Sequence, residues 1–244
     1  MEFLILRLDA PLMSFGGVKV NSHANTERFP SVSMITGLLA NALGLSYHDT
    51  QAMQLLQDNL AIAARWDVKP QRMKDYQTVD LGSAKMAQPG WTTRGIKEHR
   101  DGGHKVKFGT EQRYVHYWEN GVATVAVALN EAAAGYPIEE LEAALRQPAR
   151  PLFLGRKTCL PAAPVFLCTT ESDDIVSALK SIDLDARSDN ATCLSCWPEE
   201  LGELTAQCSL SSITGGRNWK NRLPLASRRH YEGLIEYKKA PNND

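Results

Sequence analysis

Between the apolar runs NLAIAARWD (59–67) and GVATVAVALN (121–130) the chain inserts residues 68–120. The inserted stretch is polar and basic, has glycines at 82, 90, 95, 102, 103 and 109, and lacks a long helical period. The two runs read as strands, and both are too apolar to face water alone. The stretch between them reads as an insertion that projects from the body. A projecting β-hairpin does this with the fewest demands on the chain.

The remaining elements fall into place around that arm. FLILRL (3–8) is strand-like and ends in a loop marked by Pro11, Gly16 and Gly17. Val32, Ile35, Leu38, Leu39, Ala42 and Leu43 recur at helical spacing, with Ser31 as N-cap and Gly44 as the stop. A helical turn is expected in DTQAMQLLQ (49–57), and PIEELEAALRQP (137–148) reads as a short helix with Glu139 and Glu140 in its first turn. PLFL (151–154) and APVFLCTT (163–170) read as strands. The order strand, helix, strand, insertion, strand, helix, strand predicts an α+β domain over 1–170, βαββαβ and ferredoxin-like or RRM-like, with a thumb at 68–120. Residues 171–244 follow as a C-terminal extension that opens with a helix around DIVSALKSI and ends in a basic strand.

With 244 residues, 43% of them hydrophobic, the chain can build one substantial core or a main domain with a smaller appendage. No run approaches the roughly 20 apolar residues of a membrane helix, and MEFLILRLDAP lacks the form of a signal peptide. No membrane is expected. The cysteines (Cys159, Cys168, Cys193, Cys196, Cys208) are odd in number, which fits reduced thiols in a cytoplasmic protein. A net charge of −1 hides strong segregation: residues 171–206 hold nine acids against two cations. Residues 94–118 hold six cations against three acids, and 213–239 hold seven against two. Such a chain can present one basic face to a polyanion while its total stays near zero.

Gly155-Arg156-Lys157-Thr158 resembles half a phosphate loop, but no glycine precedes it at the Walker spacing. A glycine that admits a close approach, beside two cations, suits an RNA backbone. An ordinary exposed turn between strands would look the same. Cys193 and Cys196 have the spacing of half a zinc site, yet only Cys208 follows and no histidine lies between 117 and 229. Neither a metal nor a cofactor is expected. On the insertion, Tyr114, Tyr117 and Trp118 interleave with Arg113 and His116, a mixture that stacks bases and pairs phosphates. His104 or His116, with Tyr76 and Lys107, would also serve metal-free cleavage by activating a 2′-hydroxyl. The same residue types occur in any RNA-binding hairpin.

Five blocks occur in order: LILRLDAPLMSFG (4–16), ERFPSVSMITGLLANALGL (27–45), KDYQTV (74–79), PLFLGRKTCLPAAPVFL (151–167) and LPLASRRHYEGLIEY (223–237). Together they resemble the CasD-type subunits of the type I-E CRISPR surveillance complex, Cascade, within the RAMP superfamily. The resemblance implies an RRM-like body with a thumb, acting as a non-catalytic subunit in antiviral defence. Such a subunit binds the 5′ handle of the crRNA, caps the backbone filament, meets the backbone and large subunits, and reaches target DNA only indirectly. In type I-C relatives the corresponding subunit cuts the repeat, so a metal-independent repeat endoribonuclease built on His104 or His116 with Tyr76 is the alternative. A structural adaptor for acidic proteins is a third class. The expected RNA contacts are Ser14 and Phe15 in the first loop, Arg28 before the first helix, and Gly155, Arg156 and Lys157. Lys107 and Arg113 on the thumb and Arg228 and Arg229 in the tail complete the set. The acidic stretch 171–208 has no counterpart in the family and receives no role.

Overall fold

A computed structural model describes residues 1–17, 22–80, 90–91, 97–98, 110–202, 207–213, 215–225 and 227–238. The opening apolar run is β1 (Glu2–Met13). Its alternate side chains point to opposite faces of a sheet, and both sets are buried. Leu4, Leu6 and Leu8 enter one core, while Phe3 and Ile5 enter another. A strand covered on both faces reads as a continuous apolar run rather than an alternating one. The same division holds on β7 (Thr110–Leu129), where Val125 and Val127 join the first core and Ala126 and Ala128 the second.

Four antiparallel strands form the centre, in the order β8 (Phe166–Glu171), β1, β7 and β3 (Leu60–Val68). Between β1 and β3 the chain forms the two-residue β2 (His23–Ala24), which pairs with β7, then α1 (Val32–Ala42) and α2 (Thr50–Asp58). Between β7 and β8 it forms α3 (Glu131–Ala134) and α4 (Ile138–Arg146). The expected caps of α1 are present. Ser31 Oγ accepts from the Met34 amide at 3.2 Å, and Gly44, at φ 79°, lets the Leu45 amide reach the Ala40 carbonyl at 2.9 Å.

In the inserted stretch, β4 (Gln71–Asp80) pairs with the first half of β7, from Gln71 with Glu119 to Asp80 with Thr110. Two short strands, β5 (Gly90–Trp91) and β6 (Lys97–Glu98), pair with each other. His104 and Lys107 lie outside the described residues. The strand β7 therefore runs unbroken from the arm into the core, turning at Asn120, whose φ is 54°. After α5 (Ile175–Ser181), strands β9 (Thr192–Pro198), β10 (Cys208–Ile213) and β11 (Arg228–Glu236) extend the same sheet beyond β3, in the order β9, β11, β10.

Two expectations are corrected. Residues 151–154 form no strand: the chain folds back so that the Leu154 amide donates to the Cys159 carbonyl at 2.7 Å. Leu154 and Cys159 are fully buried, while Pro151 is exposed and Leu152 and Phe153 are partly buried, so the apolar run reflects a loop anchored at Leu154. The strand read over 163–170 covers Phe166–Glu171. Cys193 and Cys196 enter different cores from opposite faces of β9 and cannot share a ligand. Burial and the Glu232 carboxylate push the Cys196 thiol pKa up, as suits an inert core thiol.

The charged residues within NLAIAARWD close the structure across its middle. Arg65 and Asp67 both have side chains with no exposure, and Arg65 Nε donates to Asp67 at 2.7 Å. Arg65 also donates to the carbonyls of Leu179 (2.7 Å) and Asp183 (3.0 Å), and its guanidinium lies 4.4 Å from the Tyr237 ring centre. Asp67 accepts from the Thr124 hydroxyl at 2.9 Å and the Asp185 amide at 3.0 Å. Every partner is needed, because a buried charge lacking one costs several kcal/mol. Arg65→Leu should therefore cost about 3–5 kcal/mol, visible as a large fall in Tm. Arg65→Lys should recover only part of it, because an ammonium lacks the planar fork that reaches three acceptors. An unchanged Tm for the leucine variant would show that the ion pair does not hold the extension to the sheet.

Candidate nucleic-acid interface

The loop after β1 crosses the folded-back segment 153–159 at very short range. The Ser14 amide donates to the Leu154 carbonyl at 3.1 Å, and Gly155 sits at φ 94° directly against the Ser14 carbonyl. A Cβ on residue 155 would lie 1.6 Å from that oxygen. The glycine is thus demanded by a backbone crossing, whatever else approaches it.

A cavity of about 350 Å³ opens beside this crossing. Gly16, Gly17 and Gly155, Ser33 and Asn41 of α1, and Arg217 are among the residues that line it. One face of α1, from Ser33 and Met34 through Gly37 and Leu38 to Asn41, runs along it. Among the described residues the lining includes no carboxylate, imidazole, phenol or amine. Such a surface can hold an anionic, partly apolar strand, but it has nothing with which to move a proton near neutral pH.

The expected contact residues divide sharply. Lys157 is exposed and has no ion pair among the described residues, as a phosphate contact requires. Arg156 is already committed. Its guanidinium donates to the carbonyls of His116 (2.8 Å) and Ala24 (3.2 Å) and lies 4.6 Å from the Tyr117 ring centre. It staples the root of the arm to the cleft. Phe15 is fully buried with its ring 5.6 Å from Trp66, so it packs rather than stacks on a base. Ser14 is also buried, at 1% exposure, and its hydroxyl has no hydrogen-bond partner among the described residues. Arg28 pairs with Glu232 at 2.8 Å and Arg229 with Glu199 at 3.1 Å. Arg228 is exposed beside a small apolar pocket that shares Ser31 with the cleft.

The arm gathers a second set. Cross-strand partners share a face, so Tyr76 with Tyr114 and Lys74 with His116 stand on one side of the β4–β7 pair. The ring of Tyr76, which is 51% exposed, stacks on Tyr114 at 5.2 Å, and Tyr114 stacks on His23 at 4.7 Å. Lys74 Nζ lies 5.4 Å from the Tyr114 ring centre. Arg113 is exposed, on the other face of β7. Burial, and then the cationic neighbours Arg72, His23, Lys74 and Arg156, hold the His116 pKa below the ordinary histidine value. A neutral imidazole is thus favoured on a basic, aromatic face. The sequence pointed to Tyr76, Tyr114 and His116 but missed His23 and Arg217, which lie far from those residues along the chain.

The model of CRISPR-associated proteins (Cas_Cas5) matches residues 3–233. The CRISPR system Cascade subunit CasD of Escherichia coli (strain K12) is 32% identical over 186 residues, which is 73% of this chain and 75% of that protein. A chain of a CRISPR RNA-guided surveillance complex superposes with a TM-score of 0.67 at 19% identity, covering 99% of this chain and 95% of its own. A Cas protein crystal structure superposes at 0.61 and 22% identity, covering 98% and 99%. At those identities the two superpositions speak for the fold.

Gly155→Ala provides a test of the crossing, with Gly16→Ala as its control. Gly16 has φ 83° but open space where a Cβ would sit, so its alanine should cost only the roughly 1–2 kcal/mol of left-handed strain. The alanine at 155 should cost clearly more in chemical denaturation, because the Ser14 backbone must move. Equal costs would mean the crossing is loose.

Proposed function

The chain belongs to the family of CRISPR-associated Cas5 proteins, and from that membership we propose that it serves as a CasD-type subunit of a Cascade complex. In this reading it holds the 5′ handle of the guide RNA and caps one end of the backbone filament. Its neighbours would then be the backbone subunits and the large subunit, with target DNA met only through the assembly. The observation that carries the reading is the cleft of about 350 Å³, glycine-lined in part and rimmed by cations, with no acid–base group among the described residues of its lining. Gly16, which has open space where a Cβ would sit, allows a sugar–phosphate backbone to come close, and exposed cations such as Lys157 match its charge. The arm's Tyr76–Tyr114–His23 stack gives unpaired bases a place to lie.

A second reading is favoured by one feature of the arm. His116, Lys74 and Tyr76 share a face, and the lowered His116 pKa suits a general base. That face could cleave repeat RNA without metal.

One experiment separates the two. The full-length chain is incubated in EDTA with RNA bearing the repeat-derived 5′ handle, then analysed by filter binding beside a denaturing gel. Binding without cleavage, with preference over RNA lacking the handle, is the expected result. Lys157→Ala should then make the salt dependence shallower by about one unit. Equal binding of both RNAs would overturn handle recognition. A specific metal-independent cut that disappears in His116→Ala would make the protein a processing enzyme.

A further inference from the structure

We infer that Arg217, positioned by Gln57, is a phosphate-binding residue of the cleft. The inference rests on the reading of the cleft as a seat for RNA, and it adds a contact and a positioning residue to that seat.

Residues 215–225 form an irregular loop whose only ladder, among the described residues, is the single bridge between Arg217 and Pro224. The loop is nevertheless held tightly. Gln57, a fully buried glutamine of α2, takes both backbone groups of Arg217: its Nε2 donates to the carbonyl at 2.8 Å, and its Oε1 accepts from the amide at 3.0 Å. The same Oε1 accepts from Trp219 Nε1 at 3.1 Å, and Gln54 Oε1 accepts from the Trp219 amide at 3.0 Å. Trp219, 4% exposed, is packed with Ala40 and Met53. At the far end of the loop Arg222 lies 3.6 Å from the Tyr47 ring centre and donates to the Tyr47 carbonyl.

Burying the tryptophan explains why the loop covers α1 and α2. It does not explain why a buried amide fixes the backbone of Arg217 itself, whose side chain is exposed. Arg217 lines the cleft, and its guanidinium lies 5.9 Å from the Trp219 ring centre with no carboxylate partner among the described residues. Nearby arginines are committed, with Arg156 on two carbonyls and Arg28 on Glu232. A cation whose backbone is already fixed loses less entropy on meeting an anion, and a planar fork suits a phosphodiester. The cleft would thus clasp one phosphate of the strand at Arg217.

The test uses the full-length chain and the handle-bearing RNA, titrated across salt. Arg217→Ala should weaken binding roughly tenfold, as for loss of one charge-assisted contact, and reduce the salt slope by about one, with Tm unchanged. Arg217→Lys should keep the slope. Gln57→Met should lower affinity while keeping the slope, because the charge remains but is no longer held. If Lys157→Ala changes affinity and slope while Arg217→Ala changes neither, the cleft stands and this inference falls. If neither variant has an effect, the reading of the cleft falls with it. An Arg217→Ala loss of the same size on RNA lacking the handle would reduce Arg217 to general surface charge and also overturn the inference.

Discussion

The pair Arg65–Asp67 is the point on which the remaining architecture depends. It lies in β3, but its partners come from three other parts of the chain: Thr124 of β7, the carbonyls and amide at 179–185, and the ring of Tyr237 just past β11. Arg7 of β1 approaches Asp67 at 3.5 Å and joins the same network. A buried ion pair is not a strong stabiliser, because desolvation offsets most of its attraction. Its effect is to make wrong arrangements costly. A register slip in β3, or an extension docked elsewhere, would leave a charge in the core with no partner. Strand β9 lies beside β3 and β11 beside β9, and the loop between β10 and β11 lines the cleft.

Local chemistry was legible in the sequence, and long-range geometry was not. Ser31 and Gly44 marked the ends of α1 because a cap is set within a few residues. The arm was legible because 68–120 contrasts with the strands on either side. The run PLFL misled, because only Leu154 is buried and it anchors a loop, which a short apolar run does not distinguish from a strand. Gly155 did signal a close approach, but of the Ser14 carbonyl. Nothing local in GRKT indicates that Arg156 will find the carbonyls of Ala24 and His116. Nor does a glutamine in TQAMQLLQD announce that it will grip a loop 160 residues away. Backbone acceptors carry no identity, so a side chain that binds them leaves no pattern to read.

Arg156 and β7 give the arm a defined angle. Because β7 is one strand from the arm to the core, motion of the arm would have to bend at Asn120 or break the ladder to β1. Arg156 restrains that bend by tying the root of β7 to the cleft loop. Tyr76 on the arm and the loop at the cleft are therefore carried by one hydrogen-bonded frame.

The acidic stretch that had no family counterpart acquires a physical role in the same frame. Asp185 meets Arg7 at 3.6 Å and Arg187 at 2.8 Å, and Arg187 in turn meets Asp9 of β1 at 2.6 Å. The hydrogen bond from Arg187 is the main force holding the Asp185 pKa below the ordinary carboxylate value. Asp174 spends its carboxylate on the amides of Val176 and Ser177 at the start of α5, and Glu199 takes Arg229. Asp185 is committed to the seam with β1 and β3, Asp174 and Glu199 to partners within the extension, and none of the three lines the cleft. Part of the negative charge is thus taken up by internal partners, while Arg217 in the cleft lining and the exposed Lys157 have no carboxylate partner among the described residues. A net charge near zero is therefore compatible with binding a polyanion, because the field that matters belongs to one face and not to the sum.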